Sequence, residues 1–186
     1  MEPHKFYIQQ LSFNGETYTV GNTYDSLTQW GIVCKEFPFT LYPEPKTPVT
    51  RDWLGEDGLE VYAPATQPLK EYDIDVEFIA KGNEGVADAT ATNQLAQNIK
   101  TFLTFLYGRN TGATGSLLAI YDEYTMIGRK DVRVKKVSPD AYERQDGANP
   151  AVAVFKVTFT VYDPMTDVSV TTSNGAKVLT CTAYGN

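Results

Sequence analysis

The chain has almost no histidine. His4 is the only one, and it sits near a terminus expected to fray. A Ser-His-Asp or Cys-His nucleophilic site would have to rest on that residue, so none is expected. Cysteine is nearly as scarce. Cys34 and Cys181 are far apart and form no CxxC pattern, which leaves zinc without a ligand cluster. Their expected state is two reduced, packed thiols. No stretch approaches the ~20 apolar residues of a membrane span, so no membrane insertion is expected. The opening MEPHKFYIQQ has no apolar h-region, so no signal peptide is expected either. Positive charge is also short, with 16 Lys and Arg against 23 Asp and Glu and a net charge of -7. Such a chain is poorly suited to gripping phosphate backbones. It can surround DNA without binding it. The expected compartment is a cytoplasm, or a particle assembled in one.

What remains is a strand-rich sequence of 186 residues, enough for one domain with a proper core. Hydrophobic residues make up 42% and aromatics 12%, which excludes a disordered chain. The segments 5–13 and 16–20 flank Asn14-Gly15 and predict an opening hairpin. LTQWGIVCKEF (27–37) reads as a strand broken at Gly31. Residues 38–68 then hold six of the ten prolines and cannot be a central strand. They read as an extended arm, and excursions of that length are usually functional. In EYDIDVEFIAKG (71–82), Tyr72, Ile74, Val76 and Phe78 face one side and Asp73, Asp75 and Glu77 the other, as in a half-buried strand.

One helix is predicted over 87–108, with Leu95, Ile99, Phe102, Leu103 and Leu106 on one stripe. Asp88 or Thr90 would cap its start and Gly108 would end it. Strands follow at 116–124 and 129–137, then a polar loop at 138–150 and the strongest strand at 151–164. The segments 167–172 and 177–185, joined by Ser173-Asn174-Gly175, close the chain as a hairpin within 165–186. The expected fold is mainly β with one flanking helix: an antiparallel β-sandwich or barrel with an extended Pro-rich arm, in a single domain spanning 1–186.

No motif carries chemistry. Asp73, Asp75 and Glu77 could be considered for calcium, but carboxylates at every second strand position point in parallel, roughly 7 Å apart, and do not converge. A glycosidase pair is open in principle among so many acids, yet nothing singles one out. GRNTGATG (108–115) has no Gly-Lys-Ser/Thr and no strand–loop–helix context. No enzyme activity and no cofactor or metal is expected. The charge map is more informative. Glu71, Asp73, Asp75 and Glu77 form an acidic stripe, and Arg129, Lys130, Arg133, Lys135 and Lys136 a basic one interrupted by Asp131. Either the stripes pair within the sheet, or they meet between subunits and close a ring.

From about Tyr24 to Pro164 the chain resembles the N-terminal domain of phage distal tail proteins, which shares its fold with tail tube proteins. The resemblance rests on YDSLTQWGIVC, the Pro-containing excursion, RDWLGEDGLEVY, EYDIDVEFIAKG, the helix QLAQNIKTFLTFLYG, LLAIYDEY and FKVTFTVYDP, in that order. It implies a virion protein assembled in the bacterial host cytoplasm, a homo-oligomeric and commonly hexameric ring at the junction of tail tube and baseplate. The implied partners are further copies and other tail proteins (tube, hub or tape-measure), with DNA passing through unbound. The charged turn Arg51, Asp52, Trp53, Glu56 and Asp57, with Arg129, Lys130, Arg133 and Lys135, would then supply the subunit interface. Asp73, Asp75 and Glu77 would be candidates to line the channel. Many distal tail proteins carry an additional carbohydrate-binding-like domain for which this chain is too short, so a plain tube protein is the first alternative. The second is a carbohydrate-binding β-sandwich using Trp53 or Trp30 as a sugar platform.

Overall fold

Asn14 builds the first turn with its side chain: Oδ1 accepts the N–H groups of Glu16 at 3.0 Å and Thr17 at 2.8 Å. The turn joins β1 (Phe6–Phe13) to β2 (Tyr18–Asp25), a longer second strand than the sequence pattern marked. The computed structural model describes residues 5–39, 43–82, 88–143 and 151–181. His4 lies outside them.

The run 27–37 is not one broken strand. Asp25 caps a short helix, α1 (Ser26–Trp30), by accepting from Leu27 N, and Gly31 ends it in the left-handed conformation at φ 67°. Only then does β3 (Ile32–Glu36) begin. Among the described residues the fold therefore has two helices rather than one. Aromatic and β-branched residues hid the first: a helix of five residues has too little length to show a period.

The arm carries two short strands, β4 (Thr50–Arg51) and β5 (Glu60–Val61). After it come β6 (Tyr72–Lys81), α2 (Asp88–Leu106), β7 (Leu117–Asp122), β8 (Ile127–Glu143), β9 (Val152–Val161), β10 (Val168–Ser173) and β11 (Ala176–Cys181). Thr90 lies inside α2 rather than capping it, and the residue before Asp88 is outside the described residues. At the other end, Gly108 N bonds Phe105 O and Arg109 N bonds Thr104 O, both at 2.9 Å, closing the helix as the sequence predicts. The polar loop expected from 138 is strand as far as Glu143, and its remainder (144–150) is outside the described residues. Pro139 is tolerated because β7 pairs only with 127–132, so β8 has a free edge there, and the register shifts beside it.

Seven strands form one antiparallel sheet in the order β2-β1-β7-β8-β9-β6-β3. The sheet is strongly curled. Phe6 of β1 and Phe78 of β6 have ring centroids 5.3 Å apart, although β7, β8 and β9 lie between their strands. In a flat sheet that separation would be about 19 Å. α2 fills the concave side, where Phe102 lies 5.2 Å from Phe78 and 5.3 Å from Trp30. Each such buried aromatic stabilises the fold by roughly 1.5–3 kcal/mol.

The convex side carries a second cluster. Tyr7, Leu11, Ala119 and Tyr121 meet Val168 and Leu179 of the β10–β11 hairpin. Gly128 permits this approach, because a Cβ there would sit 2.3 Å from the Val168 carbonyl oxygen. Cys34 belongs to the concave core and Cys181 packs against the convex cluster, and both are free thiols. No helix among the described residues is long and apolar enough to cross a membrane.

Candidate assembly surface

The prolines of the arm shape its geometry. Pro45, Pro48, Pro64 and Pro68 interrupt the ladder, so the arm is an antiparallel ribbon tied at intervals. Lys70 N bonds Glu44 O at 2.9 Å, Lys46 N bonds Pro68 O at 2.8 Å and Tyr62 N bonds Val49 O at 2.9 Å. Beyond β4 and β5, Gly55 and Gly58 take positive φ and Glu56 N bonds Trp53 O, turning the chain at the tip. Every residue from 44 to 68 is exposed. The ribbon therefore buries none of its side chains in the body.

Its side chains are not those of a solvated loop. Val49, Trp53, Leu54, Leu59, Val61 and Tyr62 are all exposed, and Leu54 at the apex is as open as in an extended peptide (108%). Single exposed apolar residues are ordinary, but six within fourteen positions make a patch. Trp53 does not cover the core. The Arg51 guanidinium lies 4.0 Å from its ring centroid, and its indole Nε1 donates to Glu60 Oε2 at 2.9 Å. Arg51, Asp52, Trp53, Glu56 and Asp57 thus stand together at the tip of the arm.

The basic stripe divides. Arg133 and Lys135 are exposed, but Arg129 and Lys130 are buried, each 4% exposed, and cannot reach a neighbouring subunit. The cause is a bulged geometry: Asp131 takes φ 53°, which breaks the alternation that would have kept the cations on one face. Lys130 Nζ lies 2.8 Å from Asp131 Oδ2, 2.9 Å from Asp163 Oδ2 and 3.1 Å from Tyr18 OH. Burial alone would lower the Lys130 pKa, but the hydrogen bonds to Asp131, Asp163 and Tyr18 outweigh it and raise the pKa above the ordinary lysine value. Burial likewise opposes the Asp163 carboxylate. Hydrogen bonds from Thr166, Lys130 and the backbone of Thr166 and Met165 overcome this and bring its pKa to about 2. Arg129 is held by Asp167 at 2.8 Å and by the Tyr72 hydroxyl at 3.0 Å. The Asp-Pro that ends the β9 segment is thus part of an internal lock.

The acidic stripe is largely answered within the sheet. Asp73 is 2.5 Å from Lys135 and 2.7 Å from Thr160, Asp75 accepts from Thr158, and Glu77 pairs with Lys35. The Lys135 bond, then the Thr160 bond, hold the Asp73 carboxyl below its ordinary pKa. These three acids line a shallow trough that Lys136 and Lys156 border. The first of the two readings of the stripes, pairing within the sheet, describes these contacts. Among the described residues, no group of three or more His, Cys, Asp or Glu is placed to hold a metal ion.

One surface was missed by the sequence reading. Leu95, Phe102, Phe105 and Leu106 of α2 are buried, whereas Ile99 and Leu103, assigned to the same stripe, are only half-buried. Each i+4 step advances about 40° around a helix, so the row Ile99, Leu103 and Tyr107 turns from the edge of the core, against which Ile99 and Leu103 still pack, to the exposed Tyr107. With Ala96, Lys100 and Arg109 they line an open groove of about 710 Å³.

No protein-family model matches the chain, and no curated protein matches it in sequence. Trp30 is buried against Phe102 and Phe105, which removes one of the two tryptophans considered as sugar platforms.

Proposed function

We propose that the protein is a non-enzymatic structural component of a phage or prophage tail, of the tail tube fold type, forming a homo-oligomeric ring around the DNA channel at the distal end. The observation that carries this reading is the arm: a ribbon of 25 residues, all exposed and bearing six large apolar side chains, none of them buried in the body. Surface of that kind is buried in an assembly. The resemblance in element order supplies the kind of assembly, a ring that is commonly a hexamer. The net charge of -7 on each copy suits a channel through which DNA slides without being held.

Asp73 and Glu77 are ion-paired within the chain, and Lys136 and Lys156 border the trough beside Asp75, so a channel wall built from these acids would be close to neutral. The repelling charge then lies elsewhere on the ring. A stacking tube protein is the second reading, favoured by an arm whose residues from 44 to 68 are all exposed.

Light-scattering mass over a concentration range tests both. Discrete rings support the distal ring, and rings that grow into tubes support the tube protein. Replacing residues 44–68 by a short turn is expected to abolish assembly while the body keeps its strand content. Normal rings from that variant would remove the arm from the proposal. A wild-type monomer at every concentration, with reproducible glycan binding lost on Trp53→Ala, would bring forward the carbohydrate-binding module.

A further inference from the structure

Each copy carries two unsatisfied apolar surfaces of matching character. The arm tip presents Trp53 and Leu54, and the outer face of α2 presents the groove around Ile99, Leu103 and Tyr107. The groove is about 16 Å long from Ala96 to Tyr107, enough to seat the turn of a ribbon. Their charges are opposite. The tip holds Asp52, Glu56, Asp57 and Glu60 against the single cation Arg51, while the groove is edged by Lys100 and Arg109. Neither of those cations has an ion-pair partner among the described residues. The arm cannot already occupy the groove of its own chain, because all of its residues from 44 to 68 are exposed.

We propose that the arm tip of one copy docks in the α2 groove of the next. Leu54 enters between Ile99, Leu103 and Tyr107, while Glu56 and Asp57 meet Lys100 and Arg109. The occupant is a second copy because the two surfaces complement each other in polarity and in charge, and every copy brings one of each. Such a contact is head-to-tail, with different patches on the two partners, and it closes a ring when the rotation between copies allows. The inference rests on the assembly reading above and adds to it the acceptor site.

The test uses the full chain with Cys181→Ser, Cys34 being buried. A Leu54→Cys chain is mixed with a Tyr107→Cys chain and treated with a short thiol cross-linker. The expected product is a heterodimer joining the two chains, formed less readily as salt rises. Lys100→Glu with Arg109→Glu should weaken assembly by about tenfold or more in concentration. These residues are exposed, so the variant should melt with the wild type. Glu56→Lys with Asp57→Lys on the partner chain should restore the contact. Wild-type assembly with no cross-link and no effect of the charge reversal would overturn this docking and leave the ring reading standing. A monomer without cross-link at every concentration would overturn both. A link formed only within a doubly substituted chain, unchanged by dilution, would show the arm folding on its own helix and would overturn it too.

Discussion

Lys130 Nζ and Asp163 Oδ2 lie 2.9 Å apart and tie the start of β8 to the loop after β9, with only 5% of the lysine side chain exposed. Asp131 and Tyr18 complete the arrangement, so the ammonium is bonded to residues from three parts of the chain. The bond fixes the point at which the sheet hands over to the convex hairpin. Removing one partner would leave buried charge uncompensated. Lys130→Met is expected to destabilise the fold by about 2–4 kcal/mol, measurable by urea denaturation. The same substitution at exposed Lys136 should change little, and equal effects would refute the lock.

Asp163 also sets a pH dependence. Its folded pKa of about 2 lies below the ordinary 3.8, so its contribution is fully present above the ordinary value. It is lost as pH falls from that value toward 2. Discounted for partial solvent screening, the contribution is on the order of 1 kcal/mol. Stability measured between pH 5 and pH 2 should fall more steeply for the wild type than for Asp163→Asn. Parallel curves would show that the carboxylate is not stabilised as described.

The curl of the sheet depends on what fills it. Phe102 contacts Phe78, Trp30 and Phe155 and is fully buried. Phe102→Ala should cost about 3–5 kcal/mol. Leu103→Ala, one residue along, should cost less because that side chain is only partly buried. Thermal melts of the two variants distinguish core from groove.

Gly128 is a steric requirement rather than a matter of propensity. Gly128→Ala would place its Cβ 2.3 Å from the Val168 carbonyl oxygen and push the hairpin off the sheet. A loss of about 1–3 kcal/mol is expected, with faster proteolysis within 165–181. Unchanged proteolysis would mean that the hairpin is held by other contacts.

Strand content was legible wherever alternation ran unbroken, as in β6 and β9. It failed where local geometry departs from the ideal period. α1 is too short to show a helical stripe, and Pro139 reads as a loop residue until β8 is seen to have a free edge there. Arg129 and Lys130 read as surface cations because nothing in a string of residues announces the positive φ of Asp131. The arm tip was legible for the opposite reason: its prolines and glycines rule out ordinary strand, leaving little but an excursion. The α2 groove was hidden inside a correct helix assignment. The 40° drift between Leu95 and Ile99, and again to Leu103, decides whether a leucine is core or surface, and a five-residue stripe does not reveal it.

Because no side chain between 44 and 68 supports the body, the ribbon is under no obligation to the core. Its apolar residues can be exchanged, lengthened or recharged without the sheet having to refold around them. Selection can therefore rewrite what the molecule sticks to while leaving how it folds untouched. The body acts as a fixed chassis, and the ribbon as a replaceable coupling.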